Sequence, residues 1–186
     1  MKYRGHRHQE HEITMELAAK TFFSSRLYAV AGASNDKSKF GYKLLAWYDA
    51  RHLPVQPVTP SRPSIQVSSN NYPTVSSVGE LESPSETSLS IVTQPHITLK
   101  VLREAKEAGI SCVWMQPGTL NRDIPLMEIL GTDEQACSGS FDTEGLEYAK
   151  QEFKAAVGGN EGRGGEGWCV LVDGDEASGR AKGEKL

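Results

Sequence analysis

The sequence predicts a three-layer α/β protein: a Rossmann-like, doubly wound parallel sheet of about five strands with helices on both faces. Apolar runs of four or five residues alternate with segments at helical spacing, the pattern of strands buried on both sides by crossover helices. The chain has 186 residues, the size of one domain, and a chain of that length buries roughly 70% of its unfolded surface without disulfides or metal. Hydrophobic residues make up 38%, and 18 glycines bring the total near the globular average of about 45–50%, which excludes wholesale disorder.

In chain order, residues 1–13 are polar, carry His6, His8 and His11, and read as a flexible tail, with metal chelation as the lesser alternative. The domain is expected over 14–175. A helix starts at Thr14, with Leu17, Ala18, Phe22 and Phe23 on its apolar face. Leu27 to Ala31 is the first strand and Gly41 to Arg51 the next helix, buried through Leu44, Leu45, Trp47 and Tyr48. Val55 to Val58 is a second strand whose prolines suit an edge position. Ser61 to Pro73 reads as a Ser/Asn-rich surface excursion, followed by a weak helical turn over Ser76 to Leu81. Leu89 to Val92 is the third strand. Pro95 to Ala108 is the clearest helix, with Ile97, Val101, Leu102 and Ala105 inward and Gly109 as its stop. Cys112 to Met115 is the fourth strand. A helix is expected from Thr143 to Val157, a glycine-rich loop from Gly158 to Gly167, a last strand from Trp168 to Val172, and a frayed tail over 176–186.

The formal net charge of −4 argues against a nucleic-acid binder, so any bound phosphate must be held locally. Cys112, Cys137 and Cys169 are an odd, scattered set without a CxxC, which opposes a disulfide framework or zinc knuckle. No apolar stretch reaches the roughly 18 residues of a membrane span, and Met1 to Glu12 has no signal-peptide core. A cytoplasmic protein without a membrane partner is expected, a homodimer being open.

Right-handed crossovers bring the strands' C-terminal ends to one edge, where four loops form the walls of a ligand crevice. In the first, Gly32 follows the strand, and Ser34, Asn35, Asp36, Lys37, Ser38, Lys39 and Phe40 lead to the helix near Gly41. Helix-start amides, hydroxyls and lysines together suit a diphosphate. Ser34 replaces the second glycine of GxGxxG, and no Walker loop is present, so an ordinary capped turn is the competing reading. The second loop, Thr59, Pro60, Ser61 and Arg62, lacks the acid that an NAD site places there. Its hydroxyls and arginine suit a phosphorylated ribose, the 2′-phosphate of NADP or the 3′-phosphate of coenzyme A. Thr93, Gln94, Pro95 and His96 form the third loop and Gln116, Pro117 and Gly118 the fourth. His96 faces the crevice as a cap or ligand contact more readily than as a base. There is no GxSxG, HExxH or paired-carboxylate arrangement, so no catalytic residue and no metal ligand is assigned. The run from Gly158 to Gly165 precedes a predicted strand rather than a helix, which favours a linker over a phosphate loop.

Four pieces taken together resemble the small CoA-binding domain family, a stand-alone relative of the N-terminal nucleotide domain of the succinyl-CoA synthetase alpha subunit. They are Val30-Ala31-Gly32-Ala33-Ser34-Asn35-Asp36 with Phe40-Gly41, Pro57-Val58-Thr59-Pro60, Val92-Thr93-Gln94-Pro95, and Val113-Trp114-Met115-Gln116-Pro117-Gly118. The resemblance covers about residues 22–120, and 165–173 match a longer form. It implies strand order 3-2-1-4-5 and a site for coenzyme A or an acyl-CoA, with the diphosphate on the first loop and adenosine near the second. It also implies no acyl-CoA synthesis by this chain alone, because nothing corresponds to the synthetase's phosphohistidine. Residues 121–140 depart from the family pattern, as a surface insertion or a retained intervening sequence. The rival reading is an NADP-dependent oxidoreductase or NAD(P)-binding regulatory protein, weakened by the lack of a Tyr-x-x-x-Lys pair; a scaffold with a vestigial nucleotide site is the third.

Overall fold

The computed structural model describes residues 15–117, 143–159 and 167–183. The expectations for the N-terminal tail, for the 121–140 insertion, for Cys137 and for most of the glycine-rich loop fall outside these residues.

Helix α1 covers 15–22. Its inward face is Met15, Ala19, Phe22 and Phe23, whereas Leu17, expected inside, is 63% exposed. The four-residue step from 15 to 19 already uses the buried stripe, and Leu17 falls on the opposite side of the helix. Strand β1 (Leu27–Ala31), helix α2 (Phe40–Ala50) and strand β2 (Val55–Val58) lie where the sequence puts them. Between β2 and the next sheet strand, the expected surface excursion is instead an antiparallel hairpin, β3 (Ser64–Val67) and β4 (Asn70–Pro73). Ile65 and Val67 point inward and are almost fully buried, while Gln66 between them is exposed, the period-2 alternation of a half-buried strand. Short 3-10 turns at Val78–Glu80 and Pro84–Glu86 lead to β5 (Thr87–Ile91).

Strand β5 starts two residues earlier than its apolar pattern suggests because its serines are satisfied in the core. Ser88 Oγ donates to the Phe22 carbonyl at 2.8 Å, and Ser90 Oγ shares a 2.9 Å hydrogen bond with the Tyr48 hydroxyl. Helix α3 (Pro95–Ala108) closes on Gly109, whose φ of +88° is the left-handed C-terminal stop. It buries Thr98, Leu102 and Ala105, with Ile97 41% exposed against expectation. Strand β6 is Cys112–Met115.

Two corrections follow at the C-terminal end. The helix expected from Thr143 to Val157 stops early: α4 is Thr143–Glu152, and Ala155–Val157 forms β7, paired in parallel with β6. Three small apolar residues continue the helical spacing, and only the free edge of β6 makes them a strand. The segment read as a last strand and frayed tail is a helix, α5 (Val170–Lys182). Its N-terminus is tied by a reciprocal pair: the Cys169 amide donates to the Asp173 carboxylate at 2.8 Å, and the Asp173 amide donates to the Cys169 carbonyl at 2.7 Å. Buried Val170, Asp173, Gly174 and Ala177 keep helical spacing.

The main sheet is wholly parallel, in order β2-β1-β5-β6-β7. Counting parallel strands only, that is 2-1-3-4-5. The expected 3-2-1-4-5 keeps the reversal of direction at β1, but among the described residues no full strand lies outside β2. That flank is held by the Val58–Val75 bridge and by the hairpin. Val75 donates to the Pro57 carbonyl at 3.2 Å, and Thr59 donates to the Val75 carbonyl at 2.9 Å. Pro57 therefore turns its missing N–H to this outer edge, where a proline is tolerated.

Two apolar cores sandwich the sheet. On one face Tyr28, Val30, Trp114 and Val157 meet α1, α2, α5 and the hairpin through Phe22, Leu44, Tyr48, Ile65 and Val170. On the other Ala29, Leu89, Ile91, Val113 and Met115 meet α3 and α4 through Leu102, Ala105, Leu146 and Phe153. Cys112 and Cys169 are buried. Among the described residues no helix is long and apolar enough to cross a membrane.

Candidate nucleotide site at the sheet's C-terminal edge

The loops after β2, β1, β5 and β6 stand side by side along one edge of the sheet, each tied to the next through the backbone. Gly32 donates to the Val58 carbonyl at 3.1 Å, Val92 to the Ala31 carbonyl at 2.9 Å, and Gln116 to the Ile91 carbonyl at 3.0 Å. The chain winds outward in opposite directions from β1 and β5, the switch point where doubly wound sheets place their ligands.

Gly32 begins the first loop at φ +89°, in the left-handed region, and a Cβ there would lie 3.0 Å from the Val92 carbonyl carbon and oxygen. Only glycine takes this turn without strain. Gly41, in the first turn of α2, is closer still: a Cβ would sit 2.1 Å from the Gly32 carbonyl oxygen. The pair thus performs the first and third roles of a dinucleotide-binding glycine set, the tight turn and the close approach of helix to strand. Between them, Ser34 Oγ accepts the Asp36 amide at 3.1 Å, and Asp36 Oδ1 accepts the Ser38 amide at 3.0 Å and the Ser38 hydroxyl at 2.6 Å. Those donors, with Lys39 nearby, hold the Asp36 carboxyl below the usual carboxylate range. The one acid of the loop is therefore engaged by its neighbours.

Helix α2 starts after Lys39 without a side-chain cap and without an acid in its first turn. A capping side chain is worth about 1 kcal/mol, and its absence leaves first-turn amides with the helix's positive end available to an anion. Lys37 and Lys39 are exposed beside it. Phe40, counted with this loop, turns its ring into the core at 6% exposure. Asn35 reaches sideways, its Oδ1 accepting the Gln66 amide of β3 at 3.1 Å.

In the second loop Thr59 is buried and shares a 2.9 Å hydrogen bond with Ser61 Oγ. Pro60, Ser61 and Arg62 are exposed, and the Arg62 carbonyl accepts the Thr74 hydroxyl. The guanidinium of Arg62 forms no ion pair among the described residues. In the third loop Thr93 Oγ1 bonds Thr98 Oγ1 at 3.1 Å, while Gln94, Pro95 and His96 stand exposed at the start of α3, again without a side-chain cap. The fourth loop behaves differently. Gln116 is fully buried, its Oε1 accepting the Val170 amide at the start of α5 at 3.1 Å, so its side chain anchors a helix. Pro117 is buried, and a Cβ on Gly167 would lie 3.2 Å from its ring. Gly118 lies outside the described residues.

Sequence reasoning missed the β3–β4 hairpin as a wall of the site, though the alternation of Ile65 and Val67 was its signal. Gly159, in the glycine-rich run read as a linker, follows β7 at φ +116°, and its carbonyl accepts the Trp168 amide at 3.3 Å. A separate crevice between α1 and α5, lined by Trp168, Asp173 and Arg180, is bridged by the Arg180–Glu16 ion pair at 2.8 Å and belongs to helix packing.

The profile of a family described as the CoA binding domain matches residues 26–159. No curated protein matches the chain. Solved structures with the same fold include a conserved hypothetical protein from Pyrococcus furiosus, with 23% identity and a TM-score of 0.57 over 80% of this chain and 98% of that one. A hypothetical protein from Pyrococcus horikoshii gives 13% identity and 0.62, covering 87% and 91%. A protein from Thermus thermophilus gives 17% and 0.61, covering 87% and 98%.

Proposed function

The chain belongs to the CoA-binding domain family, and from that premise we propose that it binds coenzyme A or an acyl-CoA along the C-terminal edge of its sheet, without an independent catalytic centre. One observation carries the reading most: the glycine pair Gly32 and Gly41 brings the uncapped start of α2 against the β1 turn at the switch point. A diphosphate seated there meets backbone amides and the exposed ammonium groups of Lys37 and Lys39. Arg62, with Ser61, stands one loop away for the ribose 3′-phosphate, and the acyl end runs towards the β5 and β6 loops. The end of β2 offers hydroxyls and a cation where NAD requires a carboxylate. His96 stands exposed on the third loop, where it can contact the ligand.

The test is calorimetry with CoA, acetyl-CoA, dephospho-CoA, NAD and NADP in parallel. CoA is expected to bind more tightly than dephospho-CoA, and Arg62→Ala to erase most of that difference. Charge-assisted contacts to phosphate contribute about 1.5–3 kcal/mol, which is roughly one to two decades at about 1.4 kcal/mol per decade. Equal affinity of the wild type for CoA and dephospho-CoA removes the phosphate-reading role of Arg62. Tighter binding of NADP than of CoA replaces the proposal with the oxidoreductase reading.

A further inference from the structure

The β3–β4 hairpin touches both phosphate-side loops and is pinned at a third point remote from them. From β3, one position from the tip pair Val67–Asn70, the Gln66 amide donates to Asn35 of the first loop at 3.1 Å. At its exit Thr74 donates through its hydroxyl to the Arg62 carbonyl and through its amide to the Pro63 carbonyl, the latter at 3.0 Å. From β4, Asn70 Nδ2 and the Tyr72 hydroxyl converge on one oxygen of Asp49, at 2.6 and 2.5 Å. Asp49 is the penultimate residue of α2, nine residues beyond Phe40 and thus about 13 Å along the helix axis from the amides that would meet the ligand.

A carboxylate there is unfavourable for the helix itself. The last turn carries no basic residue, and a negative charge near the C-terminus opposes the helix dipole. Two short hydrogen bonds from the hairpin offset that cost, so the placement of Asp49 is explained by the hairpin and not by α2. Apart from these contacts the hairpin is held by one hydrogen bond to β2, from Gln56 Nε2 to the Pro73 carbonyl at 2.6 Å, by two buried side chains, Ile65 and Val67, and by the partly buried Tyr72. Gln66, Ser68, Asn70 and Asn71 are exposed, and Ser68 takes a left-handed φ of +50° at the tip. An element with so little buried area opens more readily than the sheet beside it.

We infer that Asp49 is a positioning residue of the nucleotide site: through Tyr72 and Asn70 it locks the hairpin down, and the hairpin fixes the spacing between the Asn35 loop and the Arg62 loop. This inference rests on the ligand reading above for its binding consequence but not for its mechanical one. The clamp sets how long a ligand spanning both loops stays bound, and it favours ligands carrying both a diphosphate and a ribose phosphate over those with only one.

Two measurements test it. In hydrogen exchange on the ligand-free protein, Tyr72→Phe and Asp49→Ala are expected to speed exchange of the Gln66 amide and of the Asp36 and Ser38 amides five-fold or more. Arg51→Ala, which breaks the neighbouring contact to Asp175, should leave those amides unchanged. In rapid-mixing titrations, Tyr72→Phe, which keeps the ring and its packing, is expected to weaken CoA five- to ten-fold through faster dissociation. The same substitution should narrow the preference for CoA over dephospho-CoA. Exchange that rises in the hairpin but not in the Asp36 loop overturns the mechanical coupling. Wild-type dissociation kinetics in a folded Tyr72→Phe protein overturn its role in binding. If the wild type binds no CoA, the ligand reading fails, and the exchange measurement alone decides the clamp.

Discussion

Single atoms decide several features of this molecule. The carbonyl oxygen of Gly32 occupies the place a Cβ of residue 41 would take, at 2.1 Å. Gly41→Ala therefore pushes α2 off the β1 turn, and CoA affinity is expected to fall at least ten-fold in calorimetry while secondary structure by circular dichroism persists. Gly32→Ala acts differently, through a backbone at φ +89°. A left-handed L-residue costs about 1–2 kcal/mol, and the 3.0 Å contact with Val92 adds to it, so the melting temperature should drop together with binding. Tyr48→Phe leaves Ser90 Oγ without its partner in the core, at a cost of about 1–3 kcal/mol measurable by urea unfolding. Which loop residues carry ligand chemistry was only partly legible at this scale. The strand-then-glycine turn is local and readable, but the inward turn of Gln116 towards Val170, 54 residues away, depends on packing that no local pattern encodes.

Among the elements, the sheet strands β1, β2 and β6 and helix α3 follow from apolar run length and terminal glycine or proline signals, because each is long enough to show its own period. The failures share a cause. Strand β7 has three residues, too few to reveal a period, and Trp168 to Val172 has the β-branched composition of a strand although the positions that follow make it a helix. The decisive signal lay further on, in Asp173 answering the Cys169 amide and in the small residues Gly174 and Ala177 one turn apart. Gly174 faces Trp47 so closely that a Cβ would come 2.6 Å from its ring. Gly174→Ala is accordingly expected to destabilise the protein by about 1–3 kcal/mol as overpacking. Removal of 174–186 should cost more, since it uncovers Trp47 and breaks the bidentate Arg51–Asp175 pair at 2.5 and 2.6 Å. Differential scanning calorimetry distinguishes both from the near-neutral outcome expected of a frayed tail.

For the molecule as a whole, stability has limits on both sides of neutral pH. The carboxyls of Asp36, Asp49 and Asp175 are held below their ordinary range by donors from Ser38, Tyr72 and Arg51 respectively. Their folded pKa values are depressed, so what they contribute is complete above the unfolded value near 4 and fades as pH falls through the lower, folded values. Tyr28 is pushed up to about 12 by burial, and Tyr48 is raised further by the same cause. Keeping them neutral stabilises the fold fully below the unfolded value of about 10, and that contribution is lost as pH climbs from there through about 12. A plot of melting temperature against pH should be flat between about 5 and 9 and fall outside it, with Tyr48→Phe flattening the alkaline side. Saturating CoA should raise the whole plot, by about 2.7 kcal/mol of stability at one hundred times its dissociation constant. The position of α5 also bears on how the protein is made. It covers Trp47 and the α1–α2 face of a sheet whose other described elements all precede it in the chain. Until α5 has emerged from the ribosome that indole-lined face is open to solvent, and a nascent chain without it presents apolar surface to chaperones and to neighbouring chains on a polysome.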